Sequence, residues 1–266
     1  MIRIAPAITA LALILTLSAC GSRAPRAPVE EPSRVSITSA NFTDASPVEW
    51  SGTAPTDHPV HGIDLSVWNG QIDWQQARAN GVNFAFLKAT EGGDRVDAAF
   101  DANWRAAAQA GVQRGAYHFF YHCRAASEQA DWYIRHVPRS AGALPPVLDM
   151  EWNHQSPTCP GKRPKSEVQA DARTFISALT RHYGKRPILY TTVDFYEENQ
   201  LWEISGVDFW LRSVKEHPSD RYPGQHWTFW QYSGTGLVPG INGKVDLNAF
   251  SGSRAQWQAW LARATG

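Results

Sequence analysis

The sequence predicts an α/β protein, a TIM-like β/α barrel lacking some outer helices in its C-terminal part. Three observations predict it. From His58 onward, short apolar runs alternate with amphipathic stretches, the signature of strand-then-helix repeats with right-handed crossovers. After about residue 205 three more strand-like runs follow with little room for helices between them. Finally, carboxylates recur near the ends of the predicted strands, the positions that carry chemistry in such barrels.

In chain order, His61–Ser66 reads as a strand and Trp74–Asn80 as a short helix ended by Gly81. Asn83–Ala89 is the second strand, and Asp101–Ala110 a helix stopped by Gly111. Arg114–Tyr121 is the third strand, followed by a helix over Ala125–Val137 that Pro138 halts. Pro145 and Pro146, which offer no amide to a ladder, precede the fourth strand at Val147–Glu151. A long helix over Ser166–Tyr183 ends at Gly184, and Pro187–Thr192 is the fifth strand. Val207–Arg212, Thr228–Tyr232 and Lys244–Leu247 complete eight strands in about 210 residues, short of the ~250 of a full barrel. No glycine-rich phosphate loop follows any strand.

The 266 residues, 43% hydrophobic and 12% aromatic, suffice for one such domain over residues 58–266. Twenty-five basic residues balance 25 acidic ones, which leaves no excess to hold a phosphate backbone, so no nucleic-acid partner is expected. No cofactor is expected either, and the protein is expected to be a monomer. Twelve Trp are enough to fill a core and still stack on sugar rings in a cleft.

The first twenty residues stand apart from the fold. Arg3 precedes an apolar run, Ala7–Leu17, too short to span a bilayer, and Leu17-Ser18-Ala19-Cys20 closes it. This resembles a bacterial lipoprotein signal. The resemblance implies that Cys20 is lipidated and anchors an exported chain to a membrane, the outer membrane facing the periplasm in a Gram-negative host. Residues 21–57, rich in Pro, Ser, Thr and Ala without periodicity, read as a disordered tether. Outside the cytoplasm thiols oxidise, so Cys123 and Cys159 are expected to form a disulfide between the loops after the third and fourth strands.

Five carboxylates, Asp64, Glu91, Asp149, Glu151 and Asp246, fall near strand ends. Because strand side chains alternate, Asp149 and Glu151 share a face with Met150 opposite. Like charges that close do not both ionise freely, and a carboxyl still protonated near neutrality can release a glycosidic oxygen as an alcohol. Glu91 reads equally well as a structural partner of Lys88.

Five blocks, GIDLSVWNG (62–70), FLKATEG (86–92), GAYHFF (115–120), PVLDMEW (146–152) and WQYSGTGLVPGINGKVDLNAF (230–250), together resemble glycoside hydrolase family 25, the Chalaropsis-type lysozymes. The resemblance implies a flattened β/α barrel that cleaves the β-1,4 bond between N-acetylmuramic acid and N-acetylglucosamine in peptidoglycan. By the same resemblance Glu151 is the general acid/base, Asp149 its companion, Asp64 and Asp246 further acids of the rim, and Tyr117 and Trp210 aromatics lining the sugar cleft. After Trp210 the family usually has a small residue and then a Tyr. Here the run is Leu211-Arg212-Ser213-Val214.

Two other readings compete. His118 and His122 with Asp64 could hold zinc for a polysaccharide deacetylase, although two strand residues four apart lie about 13 Å from one another. A catalytically silent peptidoglycan-binding module is the other, and it has no use for a cluster of carboxyls.

Overall fold

The computed structural model describes residues 1–2 and 35–265, and the compact unit begins at Val35. Cys20, the signal-like stretch and residues 21–34 of the expected tether lie outside the described residues.

Eight strands close a barrel: β2 (His61–Leu65), β3 (Phe84–Glu91), β5 (Gln113–Phe119), β6 (Val147–Met150), β7 (Ile188–Thr191), β8 (Asp208–Arg212), β9 (Phe229–Leu237) and β10 (Val245–Phe250). Two short strands, β1 (Thr43–Asp44) and β4 (Arg95–Val96), pair with β9 and β3 outside this ring. From β2 through β9 neighbours run parallel, and β8 pairs β9 to complete the circle. The last strand departs from the expected parallel order: β10 is antiparallel to both β9 and β2. Only Val238–Lys244 joins β9 to β10, room for a hairpin turn and not for a crossover helix.

Helices α1 (Trp74–Ala79), α2 (Phe100–Gln109), α3 (Ala126–His136) and α4 (Lys165–Tyr183) follow the first four parallel strands at the expected places. Their ends obey local chemistry. The Asp73 carboxylate accepts from the Gln76 amide at 2.9 Å to start α1, and Gly184 at φ 69° stops α4. Later helices shrink to α5 (Val193–Asn199) and α6 (Pro218–Arg221), and none lies between β9 and β10.

Alternation along the strands divides the apolar residues between two cores. Phe84, Phe86, Val147, Ile188, Tyr190, Trp210, Phe229 and Phe250 fill the barrel interior. Ala85, Leu87, Leu148, Met150, Leu189 and Leu211 face the helices. The interior rings are admitted by Gly62, where an added Cβ would stand 2.3 Å from the Phe84 carbonyl oxygen. A helix not foreseen, α7 (Arg254–Ala264), closes the end of the barrel where the parallel strands begin, by packing Trp257, Trp260 and Leu261 against Phe84, Phe229 and Phe250. Chemistry is therefore left to the other mouth.

The expected tether fails over residues 35–57, which lie along the barrel. Its backbone carbonyls are taken by side chains of the domain: Gln258 Nε2 donates to Val35 at 2.6 Å, Arg254 to Ile37 at 2.9 Å and Asn83 to Thr38 at 2.8 Å. Thr43–Asp44 adds to β9, and Trp50 meets Trp230 edge to face at 5.1 Å. A segment without periodicity forms no helix or strand on its own, yet anchors such as Val35, Ile37, Phe42 and Trp50 bury against a preformed surface.

Candidate active site

The inward-facing residues of the strands change character along the barrel. On β6 the inward pair starts with Val147 in the apolar interior and reaches Asp149 two residues on, with Met150 turned outward. Glu151 follows directly. Antiparallel pairing places Asp246, the second residue of β10, opposite Asp64 of β2. The reversal of β10 is thus what brings Asp246 to the mouth used by the carboxyl ends of the parallel strands.

Asp64 is the best-supported acid. Its Oδ2 accepts from Gln231 Nε2 at 2.9 Å and from Asn248 Nδ2 at 2.7 Å. Each amide is oriented from beneath. Trp210, which can only donate, gives its indole N–H to Asn248 Oδ1 at 2.7 Å, and the Tyr190 hydroxyl donates to Gln231 Oε1 at 2.9 Å. With their oxygens occupied, both amides must present N–H to Asp64. Burial nonetheless raises Asp64 to about 6, with the Glu151 charge adding to the rise and the two amides opposing it.

Asp246, paired with Asp64 across the two strands, is raised to about 8 by burial first and by the Asp64 charge second. Glu151 is raised to about 7, again chiefly by burial, with Arg212 and Lys88 opposing and Asp194 and Asp246 reinforcing. Asp149, 6% exposed, is pushed well above the carboxylate range by burial and then by Glu151. Its Oδ1 is buried without a hydrogen-bond partner among the described residues. Tyr117 faces the same cluster, its phenol held protonated by burial and by Asp64, Asp149 and Asp246.

Two expected members are elsewhere. Trp210 does not line a sugar cleft: it is 2% exposed, packed on Phe86 at 4.4 Å and Tyr190 at 4.5 Å inside the barrel, where it sets the Asn248 amide. Glu91 takes the structural alternative, ion-paired with Lys88, 3.6 Å from Arg95 and accepting from the Tyr121 hydroxyl, which holds it below its usual range after burial is offset. An exposed indole that could meet sugar is Trp68, 89% exposed on the turn after β2.

Gln231, Asn248, Tyr190 and Arg212 were not singled out from sequence. The signal for the two amides is a polar residue at an inward position of an apolar strand: Gln231 follows Phe229 by two and Asn248 precedes Phe250 by two.

The zinc arrangement is not assembled. His118 lies on the outer side of β5, between Thr90 Oγ1 at 2.8 Å and Gln129 Oε1 at 3.1 Å and stacked on Phe175. His122 contacts the Glu151 carbonyl oxygen at 3.1 Å, and burial keeps both imidazoles neutral, at about 4. Among the described residues no three His, Cys, Asp or Glu are grouped to hold a metal. Beside the acids, Cys123 and Cys159 are joined as expected, with Cα atoms 5.6 Å apart, tying the loops after β5 and β6.

Residues 63–241 match the model of the glycosyl hydrolases family 25. The chain belongs to that family. Lysozyme M1 of Streptomyces globisporus is 37% identical over 216 residues, covering 74% of this chain and 69% of that protein. The uncharacterised protein YegX of Escherichia coli K12 is 37% identical over 212 residues, 78% of this chain and 75% of that one. A family 25 glycosyl hydrolase from Bacillus anthracis superposes with a TM-score of 0.69 at 35% identity, covering 76% of this chain and 94% of its own. The family match includes Asp64, Asp149, Glu151 and Gln231 and stops before Asp246 and Asn248.

Proposed function

We propose that this family 25 protein is a lysozyme, hydrolysing the β-1,4 bond between N-acetylmuramic acid and N-acetylglucosamine in peptidoglycan. The observation that carries the reading is a glutamic acid, directly after β6, raised to about 7 beside a second buried acid at the end of that strand, within a family 25 frame. Lysozyme M1, 37% identical, supports the substrate class.

Two residues apart on one strand, Asp149 and Glu151 project the same way about 6.6 Å apart in rise, so they do not flank a scissile bond from opposite sides as the standard carboxyl pairs do. A route assisted by the substrate suits them better. Glu151, protonated near neutrality, gives its proton to the leaving glucosamine oxygen while the muramic acetamide oxygen attacks the anomeric carbon. The unpartnered Asp149 Oδ1 is an acceptor waiting for a donor, and the acetamide N–H is that donor. Asp149 thereby aligns the amide so that its oxygen faces the anomeric carbon. Glu151, now a carboxylate, takes a proton from water as that water opens the ring intermediate, and the anomeric configuration is retained. Asp64 and Asp246 share one proton and hold the substrate hydroxyls beside it, with Tyr117.

Mass spectrometry of fragments released from peptidoglycan tests the bond: reducing-end muramic acid is expected, and reducing-end glucosamine refutes the assignment. NMR of the first-formed anomer tests the route, which an inverted product rules out. A silent binding module would clear no wall preparation at all.

Lipidation at Cys20, export to the cell envelope and a monomeric state complete the proposal. Metabolic labelling with a clickable palmitate, lost in Cys20→Ala, tests the anchor.

A further inference from the structure

A groove of about 580 Å³ runs beside the acidic mouth, between the segment 42–56 and the ends of β8 and β9. One wall carries Trp50 and Pro47, the other Arg212, Lys215 and Tyr232. Its floor touches the active site: a Cβ added at Gly234, in the groove lining, would lie 3.2 Å from Asp246 Oδ1. Arg212 belongs to both places. It follows the inward-facing Trp210 by two on β8, and its charge acts on Asp64, Glu151 and Asp246.

The charges of this groove are unspent. Neither Arg212 nor Lys215 has a carboxylate partner among the described residues. The one carboxylate of the lining, Asp44, is occupied by the Ser46 amide at 2.8 Å and the Thr235 hydroxyl at 2.6 Å. The wall formed by 42–56 lies outside the family match at 63–241.

We propose that this groove receives the acidic stem peptide of the glycan strand being cut, with Arg212 and Lys215 pairing to its free carboxylates. The inference rests on the lysozyme reading. The sugars of the strand carry no free carboxylate once the muramic lactyl group is amidated, so two unpaired cations match the peptide and not the glycan. The peptide branches from the muramic acid at the scissile bond. A site for it must therefore adjoin the catalytic acids, as this groove does through Gly234 and Arg212. Trp50 and Pro47 give its apolar side chains a wall to lie on.

The test compares kcat/KM of the full chain on uncross-linked glycan strands bearing tripeptide stems and on the same strands stripped by an amidase and then capped as lactyl methylamides, which leaves the glycan uncharged. The wild type is expected to prefer the peptide-bearing strand by about fivefold or more, the worth of one ion pair at a partly exposed site. Lys215→Glu is expected to bring the ratio to about one, Lys215→Arg to preserve it, and 0.5 M salt to shrink it. Equal rates of the wild type on both strands overturn the proposal, and so does a Lys215→Glu variant that slows both strands by the same factor. If neither strand yields reducing-end muramic acid, the lysozyme reading itself has failed and the groove assignment falls with it.

Discussion

Replacing Glu151 by Gln should stabilise the protein while abolishing its activity, and the gain should depend on pH in a defined direction. A carboxyl at about 7 in the fold against 4.5 in the unfolded chain binds more protons when folded throughout that interval. Stability therefore falls as pH rises through it, because the unfolded state ionises first. Below 4.5 both states are protonated and the residue costs nothing. Above about 7 the cost is constant, about 3 kcal/mol at 1.36 kcal/mol per pKa unit. Gln keeps the shape and does not ionise, so the variant should match the wild type near pH 4 and exceed it by about 3 kcal/mol at pH 8. For a domain of this size that is roughly 6 to 12 °C in Tm. Urea unfolding of both proteins at pH 4, 6 and 8 gives the curve. A difference that is flat with pH, or a variant that loses stability toward pH 8, would show that Glu151 is not a buried proton carrier.

Hydrolysis by the wild type should decline above about pH 7 as Glu151 loses its proton, and a pH–rate profile still rising at pH 9 contradicts the acid role. Trp210→Phe keeps the packing and removes the N–H that sets Asn248, so kcat should drop about tenfold with KM little changed; a rise in KM alone would instead mark Trp210 as a sugar contact. Asn248→Ala strips one of two donors from a buried carboxyl and should cost about 1 to 3 kcal/mol in urea unfolding. Reducing Cys123–Cys159 opens a 36-residue separation and should lower stability by about 4 kcal/mol on loop entropy, read as a Tm shift with and without reductant.

Local sequence made some of this legible and not the rest. Alternation along Val147–Glu151 was enough to put Asp149 and Glu151 on one face, because a strand's period of two needs no tertiary knowledge. The strand directions were not legible: nothing in Val245–Phe250 itself says that it runs backward, only the short loop before it does. Helix α7 carries local signals of its own: Ser253 and Gln256 form a capping box and Trp257, Trp260 and Leu261 have helical spacing. Residues 35–57 misled for the opposite reason. Their composition is that of a linker, and what orders them is a surface contributed by Arg78, Asn83, Arg254 and Gln258, far away in sequence. The place of Trp210 is not legible, because an aromatic near an acid looks the same in sequence whether it meets substrate or holds up the residue that does.

That distinction explains how the barrel can carry four acids at one mouth. Protons alone do not hold them together. Beneath Asp64, two aromatic donors, Trp210 and Tyr190, fix two amides, which in turn fix the carboxylate. Beside Glu151 and Asp246, Arg212 opposes the rise that burial imposes on both. Only Asp149 is left with a buried unsatisfied oxygen, and it is held two residues from Glu151, near the end of β6, by its own backbone, whose carbonyl accepts from the Phe120 amide at 3.0 Å. A group kept buried, uncharged and unpartnered is costly to the fold unless something arrives to complete it. The acid with the open acceptor is thus the one that the substrate must satisfy, and its neighbour on the same face is the one free to move a proton.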